Sequence, residues 1–81
     1  MIPEISELFK KDYKSLDNSV RIKVDKRMDK IIESPKLGKP LGGNFFSERF
    51  DGWRITYKVE EDTVYFTRVE RRDKVYERGW G

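Results

Sequence analysis

The stretch Phe45-Phe46-Ser47-Glu48-Arg49-Phe50-Asp51-Gly52-Trp53-Arg54-Ile55-Thr56-Tyr57-Lys58-Val59 decides the fold. Two runs rich in aromatic and β-branched residues flank Asp51-Gly52, a preferred two-residue hairpin turn. Residues 45–50 and 53–59 therefore read as paired antiparallel strands. Glu60-Glu61-Asp62 makes a second turn, and residues 63–69 read as a third strand. Strand alternation sends Trp53, Ile55, Tyr57 and Val59 to one face and Arg54, Thr56 and Lys58 to the other.

Upstream of the hairpin the period changes. Ser6 suits a helix N-cap, and Leu8, Phe9, Tyr13 and Leu16 then fall on one helical face. Asp17-Asn18-Ser19 breaks that helix and caps a second one. Val20, Val24, Met28, Ile31 and Ile32 recur there at spacings of three and four, until Pro35 stops the run. Residues 36–44 carry Gly38, Pro40, Gly42 and Gly43 and read as a loop, neither helix nor strand. Residues 2–5 can form a short strand that Pro3 confines to an edge. The expectation is a single α+β domain over residues 1–81. Two N-terminal antiparallel helices pack on one face of a small, mostly antiparallel sheet.

Composition narrows the chemistry. The 81 residues contain no cysteine and no histidine, which removes disulfides, thiolate ligands and the commonest general base. Catalysis would fall to Arg, Lys, Tyr, Asp or Glu. No metal or cofactor is expected: Glu60-Glu61-Asp62 lacks a calcium-loop pattern, and the 38–43 glycines lack the Gly-Lys-Ser/Thr of a phosphate loop. The formal net charge is +3. The first 46 residues hold ten Lys/Arg against seven Asp/Glu, and the remainder eight of each, so net charge does not locate a binding face. No apolar run is long enough to span a bilayer and the N-terminus lacks a signal-peptide pattern, so a cytoplasmic protein without membrane attachment is expected. A chain this small commonly gains stability from a partner.

The sheet face bearing Arg54, Thr56 and Lys58 has two readings. On pattern alone a solvated face is the simpler one; a basic platform for RNA is the other. The arginines likewise have two readings. Arg49, Arg71 and Arg72 can pair with Glu48, Glu70 and Asp73 on the surface, where such pairs contribute little. Alternatively, two or three arginines and a tyrosine can cut RNA without histidine. Arginine holds the scissile phosphate and stabilises developing charge, tyrosine stacks on a base or takes a proton, and RNA supplies its own 2′-OH nucleophile. A one-residue slip exchanges Arg71 and Arg72 between faces, so the sequence leaves open which of them faces the site.

Four segments carry a resemblance. Ile5-Ser6-Glu7-Leu8-Phe9-Lys10-Lys11-Asp12, Ser34-Pro35-Lys36-Leu37-Gly38-Lys39-Pro40-Leu41, Gly52-Trp53-Arg54-Ile55-Thr56-Tyr57 and Arg72-Asp73-Lys74-Val75-Tyr76 together resemble the RelE/ParE toxins, in the family's order. The resemblance implies the fold above and a ribosome-dependent mRNA endonuclease held inactive by a RelB-like antitoxin. Operator DNA would be reached only through that antitoxin. It implies that Arg54 contacts the scissile phosphate, that Arg72 protonates the leaving group, and that Tyr76 stacks or acts as base. Arg49 matches one of two basic residues on the preceding strand; Ser47 takes the other position and carries no charge. Arg71, Lys74, Lys58 and Ser47 are the expected RNA-binding residues. Glu48 stands where the family is often apolar; a carboxylate base is one reading, pairing with a neighbouring cation the other. Two further readings stay open: a ParE-like inhibitor of DNA gyrase, and an inactive relative that only binds its antitoxin.

Overall fold

A computed structural model describes residues 1–72. The order is β1 (Ile2–Ile5), α1 (Glu7–Lys14), α2 (Asn18–Glu33), β2 (Lys39–Gly42), β3 (Phe45–Phe50), β4 (Trp53–Glu60) and β5 (Thr63–Arg71). The five strands form one sheet in the order β1-β5-β4-β3-β2, with β1 parallel to β5 and the remaining pairs antiparallel.

Both helices begin as their capping residues dictate. Ser6 Oγ accepts from the Phe9 N–H at 3.0 Å, and Asp17 Oδ1 from the Val20 N–H at 3.0 Å. The core lies between the helices and one sheet face: Phe9, Leu16, Val24 and Ile31 meet Phe50, Ile55, Tyr57, Val64, Phe66 and Val69. Leu8, expected on the buried face of the first helix, is exposed; Phe9 and Leu16 supply the contact. Asp51 and Gly52 both take positive φ, 46° and 82°, as the tight hairpin demands.

The loop expected over residues 36–44 contains β2, a correction to the sequence reading. Its Pro40 lacks a backbone donor, which an edge strand tolerates, and β2 is the sheet edge. The approach to β2 is fixed from the sheet. Tyr57 Oη donates to the Pro35 carbonyl at 2.8 Å and accepts from the Gly38 N–H at 3.0 Å. A Cβ on Gly38 would lie 2.6 Å from the Ser47 carbonyl oxygen and 2.7 Å from Tyr57 Oη, so only glycine fits there. Burial raises the Tyr57 pKa, in keeping with a structural hydroxyl.

One irregularity positions everything that follows. Thr56 pairs with Arg68 but Tyr57 pairs with Phe66, so Thr67 is an extra residue in β5. Before this bulge Val64 and Phe66 face the core; after it Val69 does. The alternation is reset by one, which turns Arg68 and Glu70 to the face away from the helices. The bulge is pinned on both sides: Thr67 Oγ1 donates to the Thr56 carbonyl at 2.9 Å, and Ser6 Oγ donates to the Thr67 carbonyl at 2.8 Å.

Candidate nucleic-acid interface

The register brings Arg49, Arg54 and Glu70 into one row across β3, β4 and β5. Adjacent strands lie about 4.8 Å apart, so these side chains are direct neighbours on the helix-free face. Arg72 follows two residues beyond Glu70, and its N–H donates to the Gly52 carbonyl at 2.9 Å, which fastens it beside the hairpin turn. Of the positions expected to cut RNA, Arg49 and Arg54 thus share one face at one end of the sheet, and the Arg72 backbone is fastened at the same end. Arg49 is exposed, while Arg54 and Arg72 are half-buried. The Arg54 Nε is buried with no hydrogen-bond partner among the described residues. A desolvated guanidinium N–H of this kind favours an incoming anion, because an unmade bond to a buried polar group is costly.

Other expected residues fall elsewhere. Arg71 pairs in register with Trp53 and its guanidinium lies 5.6 Å from that ring's centre, so it takes the helix-side face and does not join the arginine row. Ser47 is in register with the open face but buried at 3% exposure, which leaves it little surface to offer a ligand. Lys58 is on the open face, four residues along β4 from Arg54, roughly 13 Å away. Its Nζ pairs with Glu60 at 2.7 Å, which raises its pKa, and lies 5.1 Å from the centre of the Tyr65 ring and 6.0 Å from that of Phe45. It therefore forms a separate cation–aromatic patch, with a hollow of about 350 Å³ between it and Glu4, Ile5 and Thr67. Tyr76 and Lys74 lie outside the described residues. Glu48 takes the helix-side face and pairs with Arg27 of α2 at 3.6 Å, the cation pairing expected of it.

Two acidic residues at the site were not picked out from the sequence. Asp12 of α1 grips β5 where β1 ends: its carboxylate accepts from Arg68 Nε at 2.8 Å, Arg68 Nη2 at 3.1 Å and the Val69 N–H at 3.1 Å. This bonding raises the Arg68 pKa further. Arg68 Nη2 also lies 3.5 Å from Glu70 Oε2, and the Glu70 side chain is only 10% exposed. A chain of alternating charge thus runs from α1 through Arg68 and Glu70 to the arginine row. The bulge that creates it leaves no mark in an alternation pattern. Among the described residues no group of His, Cys, Asp or Glu is arranged to hold a metal ion, and no helix is long and apolar enough to cross a membrane.

This fold is that of the RelE toxins. The isolated RelE toxin of Escherichia coli superposes with a TM-score of 0.79, at 23% identity over 98% of this chain and 94% of that one. The RelE chain of the RelB-RelE antitoxin-toxin complex from Methanococcus jannaschii gives 0.76, at 24% identity over 93% and 96%. The RelBE2 toxin-antitoxin complex of Mycobacterium tuberculosis gives 0.78, at 23% identity over 88% and 96%. Among curated proteins, none matches the sequence. The family model for the ParE toxin of type II toxin-antitoxin systems, parDE, matches residues 4–76, and the chain belongs to this family, within the RelE/ParE superfamily.

Proposed function

We propose that this toxin stops translation by cutting mRNA on the ribosome, as an endoribonuclease that uses the 2′-OH of its substrate as nucleophile. The observation that supports the reading is that Arg49 and Arg54 stand opposite each other on the helix-free face, with the Arg72 N–H fastened to the hairpin at the same end of the sheet. Arg54, with its buried Nε, holds the scissile phosphate and meets the charge that develops on it. Arg72 protonates the departing 5′-oxygen, Arg49 assists at the exposed rim, and Tyr76 stacks on a flanking base. Lys58 and Lys74 bind the RNA backbone; Ser47 and Arg71 are left out of the contact set.

A RelB-like antitoxin holds the toxin inactive, and the toxin meets operator DNA only through it. Two of the superposed relatives are complexes of a RelE toxin with a RelB antitoxin.

The test is to add the purified protein to a cell-free translation reaction and, separately, to a DNA gyrase supercoiling assay. Fragments of translated mRNA ending in 2′,3′-cyclic phosphate support the reading. Intact mRNA with blocked supercoiling identifies a gyrase inhibitor instead, the target that resemblance to the ParE branch implies.

A further inference from the structure

Attack by a 2′-OH needs a proton acceptor, and the arginine row contains none, because a cationic guanidinium donates hydrogen bonds and has no site to accept a proton. The other groups near it do not stand in the row. Glu48 lies on the helix side against Arg27, Ser47 is buried, Asp12 is committed to Arg68 and the Val69 N–H, and Lys58 is ion-paired at the far end of β4. Glu70 is the one carboxylate that the described residues place within the row. It stands directly across from Arg54, two residues from Arg72, with Arg68 on its Oε2.

We propose that Glu70 is the general base of the cleavage reaction. The inference rests on the endonuclease reading above. Glu70 takes the proton of the 2′-OH as the 2′-oxygen bonds to phosphorus. The bond from phosphorus to the 5′-oxygen breaks, and that oxygen receives a proton from Arg72. The products are a 2′,3′-cyclic phosphate and a 5′-hydroxyl; Glu70 then returns its proton to solvent, and Arg72 regains one. The charged groups around Glu70 among the described residues are Arg68 on its own strand, Arg72 just past that strand's end, Arg54 on β4, Arg49 one strand further, and Asp12 of α1 behind Arg68. Arg68, itself held by Asp12, lies 3.5 Å from one carboxylate oxygen of Glu70.

The experiment compares the parent with Glu70→Gln, Glu70→Asp and Tyr76→Phe in single-turnover cleavage of translated mRNA across a range of pH. Binding is measured alongside, with an mRNA carrying 2′-deoxy sugar at the cut site. General-base catalysis contributes on the order of 100- to 10,000-fold. Glu70→Gln, nearly isosteric, is expected to lose at least about 100-fold in rate and the acid limb of the pH profile. It should bind the 2′-deoxy RNA as tightly as the parent or more tightly, since a negative charge beside the phosphate is gone. Glu70→Asp should keep the acid limb at reduced rate. Parental rate and pH profile in Glu70→Gln would overturn the inference, as would loss of the acid limb in Tyr76→Phe alone. A rate lost together with 2′-deoxy RNA binding would show a structural role and also overturn it. A parent that cuts no RNA would refute the endonuclease reading itself, an outcome distinct from these.

Discussion

Asp12→Ala removes three hydrogen bonds at once, and the structure sets what each contributes. The Val69 N–H loses its acceptor at 3.1 Å, a neutral donor bonded to a charged oxygen, worth about 1–2 kcal/mol. Arg68 loses two charge-assisted bonds, at 2.8 and 3.1 Å. Its side chain is 31% exposed and that of Asp12 17%, so water recovers part of the pair, which leaves about 1 kcal/mol from it. The sum is about 2–3 kcal/mol. An 81-residue domain holds roughly 4–12 kcal/mol in all, so the loss is a sizeable fraction. Urea unfolding of the parent, Asp12→Ala, Arg68→Ala and the double variant measures it. The cycle should return a coupling of about 1 kcal/mol, smaller than the full cost of Asp12→Ala, because the Val69 bond survives in Arg68→Ala. Asp12→Asn keeps one acceptor oxygen and should lose about half as much. A cost for Asp12→Ala below about 0.5 kcal/mol, within the range of ordinary surface changes, would refute this account of how α1 holds β5.

Gly38→Ala should destabilise by about 1–3 kcal/mol, because the new methyl meets a backbone oxygen and a hydrogen-bonded hydroxyl; thermal unfolding reads the loss. Tyr57→Phe leaves the Gly38 N–H and the Pro35 carbonyl without their partner and should cost about 1–3 kcal/mol in urea unfolding. The Asp17 carboxyl is held below its ordinary pKa chiefly by the Val20 N–H and then by Ser19. A depressed folded-state pKa contributes stability that is present above the unfolded value and lost as pH falls through the folded one. Acid titration should therefore fray the start of α2, and Asp17→Asn, which keeps the cap, should abolish that part of the pH dependence; circular dichroism through the carboxylate range checks it.

Much of the fold was legible because the residues that set it act locally. Asp51-Gly52 forces the hairpin, Ser6 and Asp17 start the helices, and the spacing from Val20 to Ile32 turns one side of α2 inward. β2 was hidden because Pro40 and three nearby glycines spell a loop, and only the edge position makes a strand of them. The site was legible in part. Arg49 and Arg54 share a face in any register that keeps the hairpin, so alternation alone pairs them. The face of Arg71 was undecidable, since it turns on the extra residue at Thr67, held by Ser6 from 61 positions earlier in the chain. Asp12 and Glu70 were missed for the same reason: their roles depend on the reset phase of β5. Arg71 drew attention as one more arginine beside the site, yet that phase sends it to Trp53.

The proposed RNA-cutting arginines can be tested in the cell. Primer extension on a translated reporter mRNA, after induction of the parent, Arg54→Ala and Arg72→Ala, tests them most directly, with Arg71→Ala as the control from the other face. Cuts at fixed positions within codons are expected for the parent and Arg71→Ala, and their loss in Arg54→Ala and Arg72→Ala. Growth arrest by the parent with no cuts in the mRNA would contradict the proposal.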